Sequence, residues 1–121
     1  MNFDELLEDI VDFSDSIRFV FFTNEEGKIV HSKVATTSFL LDKSQASVLG
    51  VDMQILRRLL KLYGEIIGHT SSLHMVAEKV HVLIFYVENW TVLVSCDRDT
   101  DRHVLADLME QIGALLESRL N

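Results

Sequence analysis

The chain has 121 residues, of which 48% are apolar and 25% are charged, and its formal net charge at pH 7 is -8. This length suits a single globular domain over residues 1–121, and 19 acidic against 11 basic residues argue against nucleic acid as a partner, because phosphate binding needs clustered cations. No apolar run approaches the ~20 residues that cross a bilayer, the first residues are acidic rather than a basic signal peptide, and the single cysteine cannot form an internal disulfide. We therefore expect a cytoplasmic protein with no membrane insertion.

The first part of the chain predicts a short helix and a β-hairpin. Asn2 can cap a helix whose apolar residues recur at helical spacing as far as about Ser14. The segment IRFVFF, residues 17–22, is dense in β-branched and aromatic side chains and predicts a strand. Residues 24–27, Asn-Glu-Glu-Gly, supply a tight turn. A second strand is expected over residues 28–34.

The longest predicted helix runs over residues 44–68, after a loop over residues 35–43 in which Phe39-Leu40-Leu41 forms an apolar plug. At about 100° per residue, the apolar side chains of this helix cover an arc of about 200°, twice that of a helix lying on one core. One flank is expected to lie on a sheet: Leu56, Leu60, Tyr63 and Ile67. The other flank needs a separate cover, and a second copy of the chain is the simplest one: Val51, Ile55, Leu59, Leu62 and Ile66. The polar residues are expected to form one solvated strip: Gln54, Arg57, Arg58, Lys61 and Glu65.

Three strands are predicted next, over residues 73–77, 80–87 and 91–96. The middle strand carries apolar side chains on both faces, so it should be central in the sheet and covered on both sides. Trp90, beside the last turn, is either a surface anchor for a partner or half-buried against the sheet edge.

A terminal amphipathic helix follows, with its apolar stripe on Leu105, Leu108, Met109, Ile112, Leu115 and Leu116. The preceding acidic segment, residues 97–101, has the alternating carboxylates of a calcium loop, but Arg102 and Leu108 replace the glycine and glutamate of that motif. We expect Asp99 or Thr100 to cap this helix instead. Gly113 inside the helix predicts a close approach by a neighbouring element.

Few side chains offer catalytic or metal chemistry. His74 and His81 lie on neighbouring predicted strands and could face each other, with Cys96 on the next strand; a structural zinc site takes four such ligands. A nucleophilic Cys96 needs a nearby base and a polarised setting, so we favour a buried role for it. The glycines form neither a phosphate-binding loop nor a dinucleotide fingerprint. We therefore predict no catalytic, cofactor-binding or metal residues.

The order of elements resembles that of the roadblock (dynein light chain) family and its profilin-like and longin relatives. The resemblance rests on IRFVFFTNEEGKIVHSK after an acidic helix, and on three strands ending in VLVSC before an amphipathic helix. It is closest to the small, free-standing archaeal or bacterial members. It implies an α+β fold with a five-stranded antiparallel sheet in the order 2-1-5-4-3, the long helix on one face and the terminal helices on the other.

The resemblance also implies a role. Family members pair through the long helix and the third strand into one continuous sheet, and act as scaffolds or as platforms for small Ras-like GTPases. The implied dimer interface is Val51, Ile55, Leu59, Leu62, Ile66, Leu73 and Met75. The hypothesis is thus a non-enzymatic homodimeric interaction module with no cofactor, although the loop over residues 36–47, longer than the minimal roadblock connection, could shield the same surface. Two alternatives stay open: a sensor domain enclosing a small molecule behind residues 39–41, and a metalloenzyme using His74, His81 and Cys96.

Overall fold

A computed structural model describes residues 1–35 and 43–121. The helices are α1 (Phe3–Val11), α2 (Lys43–Lys61), α3 (Gly64–Ile67) and α4 (Arg102–Leu120). The strands are β1 (Ile17–Thr23), β2 (Ile29–Val34), β3 (Ser72–Val76), β4 (Val80–Val87) and β5 (Trp90–Asp97). The predicted plug at residues 39–41 lies outside the described residues.

The five strands form one sheet in the order β2-β1-β5-β4-β3, with every neighbouring pair antiparallel. The α+β class and the order implied by the family resemblance are therefore confirmed. Strand β4 lies inside the sheet, as its apolar pattern predicts, and β2 and β3 form the two edges.

Side chains alternate between the two faces along each strand, and both faces carry apolar side chains. Helices cover both faces of the sheet. On one face, α1 and α4 pack on the larger core, which includes Leu6, Ile10, Phe22, Phe85, Leu108 and Ile112. On the other face, α2 packs on a smaller core built from Phe19, Phe21, Ala46, Ile84 and Leu93. We call these two sides of the sheet the α4 face and the α2 face.

The hairpin and the first helix match the sequence expectations closely. The Asn2 Oδ1 accepts a hydrogen bond from the Glu5 amide at 3.1 Å, so Asn2 is the cap of α1, which ends at Val11 rather than near Ser14. In the hairpin, the Asn24 Oδ1 accepts from the Lys28 amide at 3.0 Å. Gly27 takes the positive φ of +80° that the turn requires.

The cap of α4 is Asp101, so the prediction of Asp99 or Thr100 was wrong. The Asp101 carboxylate accepts from the His103 amide at 2.7 Å. Thr100 is unavailable as a cap because its hydroxyl donates to the carbonyl oxygen of Asp97 at 2.6 Å and closes the preceding turn.

The single helix predicted over residues 44–68 is wrong at its C-terminal end. Helix α2 ends at Lys61, and Tyr63 adopts φ -98° and ψ 2° before the short helix α3 begins at Gly64. Glycine lowers helix propensity by about 1 kcal/mol, and the residues around it are exposed, so no packing offsets that cost.

Candidate interaction surface

The outward side of α2, the turn after it and α3 carries five exposed apolar side chains, which we call the outer face. Their exposed fractions are 46% for Val51, 48% for Ile55, 52% for Leu59, 74% for Leu62 and 80% for Ile66. Val51, Ile55 and Leu59 recur every four residues and share one side of α2, and Leu62 and Ile66 follow in the turn after α2 and in α3. These are the five residues that the predicted long helix contributes to the predicted interface, and an exposed apolar patch is typical of protein–protein contact sites.

The side of α2 that contacts the sheet differs from the predicted flank. Ala46 is buried in the α2-face core, and Leu49 and Met53 pack against it. Leu56 and Leu60 are half-buried. Two other predicted sheet contacts, Tyr63 and Ile67, are 54% and 69% exposed, because α2 ends before it can carry them onto the sheet. They enlarge the exposed apolar surface instead.

Two residues of the predicted solvated strip are not solvated. Gln54 is only 7% exposed, and its Oε1 accepts from the Thr91 hydroxyl at 3.4 Å. Arg57 is half-buried. Its Nη1 donates to the Trp90 carbonyl at 2.8 Å and its Nη2 donates to the Glu88 carbonyl.

Arg57 therefore fastens α2 to the turn between β4 and β5. Its guanidinium lies 5.0 Å from the centroid of the Tyr86 ring, over the ring face, where a cation is attracted. Burial lowers the pKa of Arg57 and raises the pKa of the Tyr86 hydroxyl. This contact holds α2 in place and keeps its outer face directed away from the sheet.

Strand β3 forms an open edge on the same side of the molecule. Leu73 and Met75 pair with Ile84 and Val82, whose side chains belong to the α2-face core. Leu73 is half-buried and Met75 is 38% exposed. Within residues 1–35 and 43–121, β3 pairs only with β4, and a free strand edge can pair with another chain. Val76 is 59% exposed on this edge and was not among the predicted interface residues.

The two histidines face each other, as predicted, on the α4 face. The distance between His74 Nε2 and His81 Nδ1 is 2.9 Å. Burial, and next the neighbouring His81, lower the pKa of His74. Cys96 is fully buried, and burial raises the pKa of its thiol to about 12, so it stays protonated. Among the described residues of one chain, no three His, Cys, Asp or Glu side chains are grouped to hold a metal ion.

Trp90 takes the second of its two predicted roles. It is half-buried, with its ring centroid 5.3 Å from that of Phe3 and 6.0 Å from that of Phe22, both edge-to-face. It therefore packs between α1 and the sheet and contributes to the α4-face core.

A cleft of about 510 Å³ lies between the end of α2 and the segment that leads into β3. Arg57, His69, Tyr86 and Glu117 are among the residues that line it. The Tyr86 hydroxyl is buried and has no hydrogen-bond partner among residues 1–35 and 43–121. The ligand space predicted for a sensor domain, behind residues 39–41, lies outside the described residues.

In the part of the chain that the structure describes, no helix combines the length and the apolar character needed to cross a bilayer.

Comparison with known proteins identifies the fold. No protein-family model matches the sequence, and no curated protein matches it. A Roadblock/LC7 domain from Streptomyces avermitilis superposes with a TM-score of 0.72 over 99% of this chain and 98% of that chain, at 14% identity. MglB from Myxococcus xanthus gives a TM-score of 0.75 over 99% and 98% of the two chains, at 12% identity.

Profilin II from Acanthamoeba castellanii matches with a TM-score of 0.63 over 95% of this chain and 96% of that chain, at 6% identity. The chain therefore has the Roadblock/LC7 fold, which profilin shares, and the resemblance noted in the sequence is confirmed at the level of fold. At these identities the likeness establishes the fold alone.

Proposed function

We propose that this chain is a non-enzymatic, homodimeric protein-interaction module that pairs through α2 and β3 and serves as a platform for a small Ras-like GTPase. The observation that carries the proposal is the outer face: five large apolar side chains, each about half exposed or more, on α2 and on the turn and short helix α3 that follow it. The opposite side of α2 is held to the sheet. Leu73 and Met75 complete the proposed interface.

Burial of the outer face supplies the driving force for pairing. Removing one leucine or isoleucine side chain fully from water is worth about 1.5–3 kcal/mol, and these side chains start from partial exposure. In a two-fold dimer the same patch is used on both copies, so each contact is made twice. A second α2 presents the complementary apolar surface that the outer face requires.

The open edge of β3 supports the same arrangement. Two β3 strands pairing in antiparallel fashion would satisfy the free backbone groups of both edges, and Leu73 and Met75 lie on the α2 face. A dimer of this form joins the two sheets into one and places both α2 helices on one side of it.

The dimer is tested by sedimentation equilibrium at micromolar concentration. We expect a dimer for the native chain and a weakening of about 100-fold for Leu59→Asp, because burying two carboxylates costs at least about 3 kcal/mol. Val104→Asp is the matched control, since Val104 is 38% exposed on α4, away from the proposed interface. A monomeric native chain, or equal dissociation constants for the two variants, would contradict the proposal.

The GTPase role is tested separately, by calorimetry with each small Ras-like GTPase encoded in the same genome, loaded with GDP or with a non-hydrolysable GTP analogue. We expect one of them to bind in one nucleotide state with a micromolar or lower dissociation constant. Absence of binding in both states would remove the platform role and leave the dimer standing.

A further inference from the structure

His74 and His81 form a polar pair that the proposed function does not use. His74 lies at the centre of the edge strand β3, and His81 lies on β4 and is only 5% exposed. Their nitrogens Nε2 and Nδ1 are 2.9 Å apart. Both side chains are on the α4 face, since His74 pairs with Leu83 and His81 pairs with Cys96, and those partners belong to the α4-face core.

The surroundings of His81 assign its tautomer. Its Nε2 is 3.0 Å from the carbonyl oxygen of Arg98, and a carbonyl only accepts, so Nε2 carries the proton. In the neutral ring, Nδ1 then carries a lone pair, which accepts the hydrogen bond that His74 Nε2 donates. Metal-binding histidines commonly have this arrangement, in which the second ring nitrogen donates to a backbone carbonyl and fixes the ring.

The spacing of the two nitrogens suits a shared ion. With metal–nitrogen distances of about 2.0–2.1 Å and tetrahedral angles, two ligand nitrogens lie about 3.3 Å apart, so small ring rotations would admit an ion. The Arg98 guanidinium also lies near, with Nη1 3.4 Å from His81 Nε2. It sits beside the protonated nitrogen rather than beside Nδ1, and Arg98 is exposed, so solvent screens its charge.

One chain offers too few ligands for this site. A zinc ion in a protein takes at least three protein ligands, and the described residues of one chain hold no such group. Cys96 pairs with His81 across the sheet, but it is fully buried in the α4-face core, and it joins no group of three potential ligands among the described residues. A third ligand has to come from outside the chain.

Pairing of β3 with its own copy supplies that ligand. The longest antiparallel overlap of residues 72–76 with a second copy sets position 74 at the centre, opposite the partner's His74. Side chains directly opposite each other across an antiparallel pair have Cβ atoms about 4.5–5.5 Å apart and share one face of the sheet. Each His74 ring then lies beside the Nδ1 atom of the His81 in its own chain and beside the other His74 ring.

We propose that the dimer binds one divalent, imidazole-preferring transition metal ion of the zinc class at the β3–β3 contact, through His74, His81 and the partner's His74. The proposal rests on the proposed homodimer. Because each ion uses both His74 rings, one ion binds per dimer, and the fourth tetrahedral position is left to water. The metal then links the two edge strands on the α4 face, whereas the apolar contacts of the outer face lie on the α2 face.

The test uses the untagged full chain after treatment with a chelator. Sedimentation equilibrium without metal first establishes the dimer, and calorimetric titration with ZnCl₂ then measures metal binding, with Co²⁺ absorption as a report on tetrahedral coordination. We expect one ion per dimer and intense visible Co²⁺ bands. His74→Gln and His81→Gln should each weaken Zn²⁺ binding at least tenfold, and His103→Gln, an exposed histidine on α4, should leave it unchanged.

The outcomes separate the two proposals. A metal-free dimer that binds Zn²⁺ equally well with and without His74 overturns the metal site and leaves the dimer. A monomer in chelator that Zn²⁺ does not convert to a dimer overturns the proposed function. Binding of one ion per chain by the Leu59→Asp monomer, at native affinity, overturns the contribution of the partner's His74. His74 is exposed, so its variant keeps the test valid if His81→Gln fails to fold.

Discussion

Gly50 in α2 lies so close to Gly27 in the β1–β2 turn that a Cβ built at Gly50 would be 2.3 Å from the Gly27 carbonyl oxygen. A Cβ built at Gly27 would in turn be 2.7 Å from the Gly50 carbonyl oxygen. Both contacts involve backbone atoms, which cannot rotate away as the end of a side chain can. The approach of α2 to the sheet at this end is therefore set by two glycines that belong to different elements.

Gly50→Ala should destabilise the fold by about 1–3 kcal/mol, the usual cost of forcing an extra methyl into a packed contact. Gly113→Ala is the matched control, because its new Cβ would meet the Phe85 ring at an ordinary 3.8 Å and alanine is the better helix former by about 1 kcal/mol. Urea unfolding at one fixed protein concentration measures both variants. A Gly50→Ala protein as stable as the native chain would show that α2 can move away from the turn without cost.

The strands were predictable because their burial follows from local pattern. Residues 80–87 carry apolar side chains at both odd and even positions, so apolar side chains lie on both faces of the strand. In the structure, this strand is covered by helices on both faces of the sheet. The hairpin was predictable from Asn24 and Gly27, which supply a side-chain acceptor and a positive φ. The sheet order was not available from periodicity and came from the family resemblance.

Other features depend on contacts between distant parts of the chain. Periodicity assigns every polar helical residue to solvent, whereas Arg57 reaches carbonyls of Glu88 and Trp90, more than 30 positions away. The apolar pattern continues through Ile67, so it could not register the end of α2 at Lys61. The exposure of Ile55 and Leu59 agrees with the pattern, and their contact with a second chain stays a prediction.

Arg57→Lys should cost about 1–3 kcal/mol of stability. An ammonium group is a compact donor that cannot reproduce the planar arrangement of the guanidinium, so at least one of the carbonyls of Glu88 and Trp90 loses its partner. A hydrogen bond to a charged group contributes about 1.5–3 kcal/mol. Arg58→Lys, at the adjacent exposed position, should change stability by less than about 0.5 kcal/mol. Equal urea midpoints for the two variants would mean that the contact between Arg57 and the β4–β5 turn does not stabilise the fold.

Asp101→Ala should remove about 1 kcal/mol, because it deletes the side-chain acceptor that satisfies the His103 amide at the start of α4. Asp99→Ala serves as the comparison, since sequence reasoning favoured that position and the structure does not use it as the cap. Thermal unfolding should show a lower midpoint for Asp101→Ala and almost none of that decrease for Asp99→Ala. A lower thermal midpoint for Asp99→Ala than for Asp101→Ala would show that Asp99 is the cap of α4.

Cys96 should be inert to alkylation in the folded chain. The thiolate is the reactive form, and burial raises the pKa of Cys96 to about 12, so iodoacetamide at pH 8 should modify the protein in 8 M urea but hardly at all without it.

The same shift in the pKa of Cys96 predicts a change in stability at high pH. Because the pKa is raised in the folded state, the folded chain holds this proton when the unfolded chain has begun to release it above about pH 9. The stabilisation from Cys96 is thus complete below pH 9 and decreases as the pH rises towards 12. Cys96→Ala, which cannot titrate, should show a smaller loss of stability between pH 8 and pH 10.5 than the native chain in urea unfolding. Identical losses in both proteins, or rapid alkylation without urea, would contradict the burial of this thiol.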